Sequence, residues 1–464
     1  MKSVLTATLL LVASAAWAQG PTAPRLNINP SFFGSVPDGT ATSEPVALTI
    51  IDAITRSLQH NLGLLMTEET AGKAQGARWQ TLANLLPNIS GGVQEVRQVI
   101  NLAAYGFPLP PGTPTMVGPF NVFDARVRLS QSIVNLEATN ADRAARYNLE
   151  ASQHDVSSAR DLVVLASTNA YLQALAAAAR VESVRAQLES AEALSKQAGD
   201  LKESGLVAGI DVLRAEVQLS TQRQRATAAK NEFDKSKLQL ARVIGLPIGQ
   251  TFTLSDALPS VPAPDLTLEQ ALDEAYKTRP DYQAALERIQ AAEAERRAVA
   301  SEHLPSVRLN ADYGALGLKP SDAEATWTVA GAVDVPIFNG GRTKGRQQQA
   351  DAALRQLKAA AEDLRAEVDY DVRTAFLDLQ ATSEQLQVAT RARELAQQQL
   401  TQARDRFSAG VTNNIEVVQA QQAVAESSEQ YISALYGYNV AKALLSRGIG
   451  IAEAEVHQSV GGRP

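Results

Sequence analysis

The residues best suited to metal or acid–base chemistry are four histidines, His60, His154, His303 and His457. They are scattered, and none has a companion at the i, i+4 spacing that would put two imidazoles on one helix face. The chain has no cysteine, which excludes disulfide frameworks, thiolate metal sites, cysteine nucleophiles and N-terminal diacylglyceryl lipidation. Carboxylates are numerous, but they alternate with cations as in Glu182, Arg185 and Glu189, the pattern of a solvated helix face. Gly340-Gly341-Arg342-Thr343 precedes a helix, as an anion-binding loop would, yet lacks the Lys-Ser/Thr of a phosphate loop and reads as a turn. Asn88-Ile89-Ser90 matches a glycosylation triplet that arises often by chance. No nucleophile, base and oxyanion donor can be assembled, so neither an enzyme nor a metal or cofactor site is expected.

The elements that carry these residues are unusual. The 464 residues are 45% hydrophobic but only 5% aromatic, with a formal net charge of −7. The acidic balance argues against a nucleic-acid partner, which needs clustered Lys and Arg. Residues 1–18 read as a secretory signal: Lys2, an apolar stretch from Leu5 to Ala13, and Ala16-Trp17-Ala18 before the cleavage point. Residues 19–47, rich in Pro, Gly, Ser and Asn, form an N-terminal extension. No later apolar run of 18 residues is evident, so no helix is expected to cross a membrane.

The sequence repeats. Leu48-Thr49-Ile50-Ile51-Asp52-Ala53-Ile54 returns 218 positions later as Leu266-Thr267-Leu268-Glu269-Gln270-Ala271-Leu272, and Leu86-Pro87 returns at the same displacement as Leu304-Pro305. Ser204-Gly205 and Ile244-Gly245 return 205 positions later as Ala409-Gly410 and Ile449-Gly450. The 13 residues of difference fall in the Pro- and Gly-rich segment from Tyr105 to Pro119, a loop. The reading is a tandem duplication, 48–247 and 266–451, joined by a linker 248–265 and followed by a tail 452–464. Each copy holds a helix (Leu48 to Leu85; Leu268 to His303), a β-hairpin (88–135; 306–339), a long helix (Leu136 to Glu203; Thr343 to Ser408), a Gly turn and a further helix (Ile210 to Val243; Asn414 to Ser446). The long helices show coiled-coil-like steps of three and four, and at 1.5 Å per residue each is a rod of roughly 100 Å.

The hairpin strands alternate. Phe123, Ala125, Val127 and Leu129 interleave with Asp124, Arg126, Arg128 and Ser130; Val307, Leu309, Ala311 and Tyr313 interleave with Arg308, Asn310 and Asp312. A half-buried soluble strand would look similar. Joined to a signal sequence and charged opposite faces, the pattern favours a transmembrane barrel. Four strands cannot close a barrel and lipid tolerates no open edge, so several protomers must share one. Eight strands would leave an interior filled with side chains, whereas twelve leave a lumen wet enough for Arg126, Arg128, Arg308 and Asp312.

With these features in order, the chain resembles the TolC family of outer-membrane efflux proteins from Leu48 to Ile451. The resemblance is carried by the duplication, by Leu86-Pro87 and Leu304-Pro305, by Pro336-Ile337-Phe338-Asn339-Gly340-Gly341, and by the two turn motifs. These are Gly205-Leu206-Val207-Ala208-Gly209-Ile210-Asp211-Val212 and Gly410-Val411-Thr412-Asn413-Asn414-Ile415-Glu416-Val417. The fold it implies is an α+β membrane protein: a homotrimer with a 12-stranded β-barrel in outer-membrane lipid, continued by a 12-helix α-barrel across the periplasm. The function it implies is a passive exit duct of a tripartite efflux or type I secretion system, working with a periplasmic adaptor and an inner-membrane transporter. A structural periplasmic coiled-coil protein, or an adaptor without a pore, is the alternative.

By the same resemblance the turns form the periplasmic tip, where Gly205, Leu206, Val207, Asp211, Gly410, Val411 and Asn413 meet the adaptor. The channel entrance is Phe407, Thr412, Glu416 and Gln419. Glu416 falls where the best-known member has an Asp of an entrance ring, although an acidic residue favoured by a helix N-terminus would look the same. Gln419 replaces a second Asp, Thr412 an Arg and Phe407 a Tyr, so closure is expected to rest on apolar packing near Phe407 and a single acidic ring.

Overall fold

The computed structural model describes residues 30–454, apart from 107–109, 111, 206, 261, 263–265, 410 and 413. The signal sequence, residues 19–29 of the extension, residues 455–464 of the tail, and Leu206, Gly410 and Asn413 therefore lie outside the described residues.

In chain order the elements are β1 (Val46–Leu48), α1 (Ile50–His60), α2 (Leu62–Ala83), β2 (Asn88–Asn101), β3 (Met116–Val134), α3 (Leu136–Glu203), α4 (Gly209–Val243) and β4 (Phe252–Leu254). Then come α5 (Leu268–Thr278), α6 (Pro280–Ser301), β5 (Ser306–Gly317), β6 (Glu324–Asp334), α7 (Arg342–Ser408) and α8 (Asn414–Ile449). Helix starts follow local chemistry. Thr49 and Asp52 form a capping box, each side chain accepting the other's backbone N–H at 3.2 and 3.0 Å. Thr267 and Gln270 repeat it at 3.3 and 3.0 Å at the start of α5.

Where single helices are expected over Leu48 to Leu85 and Leu268 to His303, the structure breaks both. At Asn61 the backbone turns extended (ψ 127°) and its amide donates to the Phe32 carbonyl at 2.8 Å, while Leu62 N–H goes to Gly34. The N-terminal segment thus supplies the bonds that the interrupted helix forgoes. At Arg279 the following Pro280 disfavours helical backbone, and Arg279 adopts ψ 113°.

The chain divides into two units. The first takes residues up to Leu62, Asp161–Ala271 and Asp371 onward. Its core joins Leu48, Tyr171, Leu175, Leu240, Ile244 and Phe252, capped by a parallel β1–β4 pair. The Tyr171 hydroxyl lies 2.8 Å from the Leu48 carbonyl and 3.0 Å from Asp256 Oδ2, which also accepts Ile50 N–H at 2.7 Å. Burial, then the Asp256 hydrogen bond, holds the Tyr171 phenol well above its usual range. Because the folded protein favours the neutral phenol, its contribution is complete below about pH 10 and is lost above it, where the unfolded chain ionises first. Tyr171→Phe is expected to lower stability by about 1–2 kcal/mol and to flatten the decline between neutral and strongly alkaline pH. Thermal unfolding of both proteins across that range measures it; parallel alkaline declines would contradict the assignment.

Among the described residues one helix, α3, is long and apolar enough to cross a membrane by length and composition. This corrects the expectation that no such run exists: no charged residue separates Asp161 from Arg180. Within the apolar window 67% of the residues are buried inside the protein, because Val163, Leu165, Ala166, Tyr171 and Leu172 occupy the first unit's interior.

The second unit takes Gly63–Arg160 and Leu272–Tyr370. It contains an antiparallel four-stranded sheet in the order β2-β3-β5-β6.

Candidate functional site

The sheet is polar on one face and apolar on the other. Pairing places Gly91 beside Val127, Val127 beside Tyr313 and Tyr313 beside Trp327, a row on one face. Trp327 is 72% exposed and Tyr313 65%, and Ile89, Val93, Val329 and Val333 on the same face are also open. Such an aromatic and β-branched row suits cross-strand packing, but an open apolar face of this extent needs a cover. From Ala325 to Val333 it runs about 26 Å along β6, or about 20 Å if tilted by about 40°, and exposed Val335 just past the strand extends it towards the height of about 25 Å of a transmembrane barrel's apolar band. The band stops where Asn121 donates to Glu95 at 2.9 Å on the same side.

The opposite face carries Asp124, Arg126 and Arg128 on β3 and Arg308, Asn310 and Asp312 on β5. Arg126 is held from both sides, Nε to Asp124 at 2.6 Å and Nη1 to Asp312 at 2.7 Å; all four of the expected lumen charges share this face and two of them, Arg126 and Asp312, pair directly. Arg128 lies over Gly92, where an added Cβ would stand 3.4 Å from its Nη1. Arg308 is exposed on the same face.

The second feature is the pair of helix reversals in the first unit. Gly205 has φ +71°, a conformation that costs a residue with a Cβ, and its N–H bonds Lys202 O. At the foot of the four helices an apolar core forms from Leu194 and Ala198 (α3), Ala215 (α4), Leu400, Ala403 and Phe407 (α7), and Val417 and Ala420 (α8). Phe407 therefore packs inside its own chain, 5% exposed. The first turns of α4 and α8 are joined by a residue the sequence reading passed over: Asn414 is fully buried and donates its amide to the Asp211 carbonyl at 2.7 Å. Only the fold brings these two positions together.

Asp211 also accepts from Arg214 at 3.2 Å. Glu416, in the first turn of α8, stands 3.6 Å from Arg406 Nη2 in the last turn of α7. Both are partly exposed, so this pair is weak and screened. Arg406 was likewise missed, because the pair spans a turn whose geometry the sequence does not state. Thr412 and Val207 are half-buried, while Val411 and Gln419 are exposed. Ile210, Leu213 and Val217 leave a further apolar stripe open on α4. No group of three acidic or histidine side chains suited to a metal occurs among the described residues.

A family model described as "Outer membrane efflux protein" matches the chain twice, over residues 53–246 and 271–450. The pyoverdine export outer membrane protein OpmQ of Pseudomonas putida is 23% identical over 318 residues, 66% of either chain. The outer membrane protein TolC of Escherichia coli is 24% identical over 351 residues, 71% of this chain and 70% of that one. The chain spans somewhat under two thirds of several of these relatives' lengths, 60% for OpmQ of Pseudomonas aeruginosa. The Campylobacter jejuni CmeC outer membrane channel superposes with a TM-score of 0.73 at 16% identity, covering 95% of this chain and 97% of that one. A membrane protein from Pseudomonas aeruginosa gives 0.72 at 18% identity, covering 93% and 97%. These structures share a mostly helical fold with some sheet. With most of its length matched, in two segments that each carry a hairpin and a helix reversal, this chain belongs to the outer membrane efflux protein family.

Proposed function

We propose that the chain is one third of an outer-membrane exit duct that passively conducts small molecules or proteins outward. The observation that carries this reading is the two-faced sheet: an exposed apolar, aromatic face against a face of paired charges. Three chains would close twelve strands around the Arg126, Arg128, Arg308 and Asp312 face, and each chain's α3, α4, α7 and α8 would continue the wall as a 12-helix barrel in the periplasm. The two family matches support tandem repeats at 48–247 and 266–451 with hairpins 88–135 and 306–339. Transport energy would come from an inner-membrane transporter reached through a periplasmic adaptor. The adaptor would meet the turns at Gly205, Leu206, Val207, Asp211, Gly410, Val411 and Asn413. A structural coiled-coil protein or a poreless adaptor has no use for an open apolar sheet face.

At the entrance, three copies of Glu416 would face the pore with Thr412 and Gln419 nearby. Each Glu416 has Arg406 of its own chain within reach, so the ring would be a set of compensated pairs. Phe407 would stabilise the tip from within its core and would not itself obstruct the pore. Purified protein added to planar lipid bilayers is expected to give discrete conductance steps. Glu416→Ala is expected to reduce cation preference at low salt, and Arg406→Ala to increase it. Absence of steps with correctly folded protein would sink the duct reading; unchanged ion preference in both variants would remove the ring.

A further inference from the structure

The two hairpins differ in height. β3 leaves its pairing with β5 at Phe123, opposite Gly317, whereas β2 and β3 stay paired as far as Asn101 and Met116. A two-stranded ribbon, 96–122, therefore stands beyond the four-stranded sheet, and its β2 residues from Val96 to Asn101 span about 20 Å. Along it the two faces exchange character. Within the sheet the charged face carries the pairs Ser90–Arg128, Gly92–Arg126 and Gln94–Asp124. Further up, the same face turns apolar: Val96 stands opposite Val122, Gln98 opposite Phe120 and Ile100 opposite Val117. The other face, apolar at Ile89, Val93 and Val127, becomes polar at Glu95, Arg97 and Asn121. Val96 and Val117 are exposed in the single chain, and Ile100, Phe120 and Val122 are only half-buried.

A bulge keeps the stripe on one side. Between the Gln98–Phe120 and Ile100–Val117 pairs β3 has one residue more than β2, at Gly118-Pro119. Without that residue Val117 would fall on the face opposite Phe120 and the stripe would end. Gly118 has φ +125°, and a Cβ there would stand 2.8 Å from the Gln98 carbonyl oxygen, so the bulge needs glycine. Lipid cannot cover this stripe, because the ribbon's lipid side is the polar one. Cover has to come from the side of the barrel axis. Twelve strands about 4.8 Å apart and tilted by about 40° make a barrel roughly 24 Å across, so a ribbon of about 20 Å reaches the axis. In a closed ring of three chains, what each ribbon meets there is the same stripe on the other two.

We propose that the ribbons of three copies lean together over the outer mouth of the duct, where Val96, Phe120 and Val122 of each pack against those of the other two and form an apolar throat. This throat rests on the trimeric duct proposed above and adds the place where that duct narrows on its outer side. Below it the wall is lined by charges that hold water; within it no charged side chain faces the axis. Such a constriction holds back hydrated ions by dewetting and yields to cargo with apolar surface.

Because the chain has no cysteine, single substitutions report contact between copies directly. Full-length protein carrying Phe120→Cys or Val96→Cys is oxidised with copper phenanthroline in membranes and compared with Arg97→Cys on the ribbon's polar face. Covalent dimers are expected to be at least about five-fold more abundant from the first two, since a disulfide needs Cβ atoms about 4 Å apart. In planar bilayers Val122→Asp, and to a lesser degree the milder Phe120→Ser, are expected to raise single-channel conductance, at least about two-fold for the aspartate, because three carboxylates would part the stripes and wet the throat. Dimers no more abundant from Phe120→Cys and Val96→Cys than from Arg97→Cys would overturn the throat, and so would unaltered conductance in both bilayer variants. Inner-face dimers from a protein that gives no conductance steps in any form would instead overturn the duct, while supporting the contact between ribbons.

Discussion

Val329→Arg is expected to remove the protein from the outer membrane. Val329 is exposed midway along β6, on the face that carries Trp327 and Val333. If that face meets lipid, an arginine there costs about 2–4 kcal/mol per chain at the bilayer midplane. Three chains share one barrel in the proposed assembly, so the cost triples. If the face met water, the same substitution at an exposed position would change stability by no more than about 0.5 kcal/mol. Few substitutions separate two readings of a structure so widely. The measurement is the amount of protein in the outer-membrane fraction, with Thr328→Arg on the opposite, polar face as the companion. Equal, normal amounts of both variants would contradict the lipid-facing assignment.

Gly314→Val is expected to prevent the two hairpins from joining. Gly314 pairs with Arg126 between β5 and β3, and a Cβ at this position would stand 2.3 Å from Arg126 Cβ and 2.4 Å from the Ala125 carbonyl. Those atoms belong to the backbone and its first carbon, so a rotamer change cannot clear them. The strands would have to separate, loosening the hold of Asp312 on Arg126, at a cost of about 3 kcal/mol or more. Valine is a favourable strand residue, so any loss reports the contact and not propensity. Gly331→Val is the control: it lies in β6 with nothing within 4 Å of an added Cβ. Assembled protein should be scarce for the first and normal for the second. A normal yield of Gly314→Val would mean that the strands are less closely apposed than the structure has them.

Alternation of Phe123 to Ser130 and Val307 to Tyr313 already stated that one sheet face is apolar and the other charged, because side chains along a strand must point to opposite sides. Pairing partners were a different matter. Arg126 could be assigned to a wet face beside Asp124, two residues away on the same strand, but that Asp312 grips it from the other side follows from the register of β3 on β5, which no local pattern encodes. The helix reversals divide the same way. Gly205 marks a turn because its backbone needs a positive φ, whereas Glu416 finds Arg406, and Asn414 finds the Asp211 carbonyl, only after the helices return alongside each other.

The helix break at Asn61 is a tertiary event of the same sort: periodicity runs straight through it, and the segment around Phe32 and Gly34 wins the backbone groups. The apolar stretch of α3 has the composition of a membrane helix, yet 67% of its apolar window is buried in the protein. By itself, then, the sequence determined what is periodic and local: two copies of one order of elements, long helices, two-faced strands and glycine turns. Tertiary structure alone decided which charges pair across strands and turns, that the first copy's helix breaks at Asn61 and which apolar surfaces are left open, since those outcomes depend on contacts between residues 10 to more than 200 positions apart.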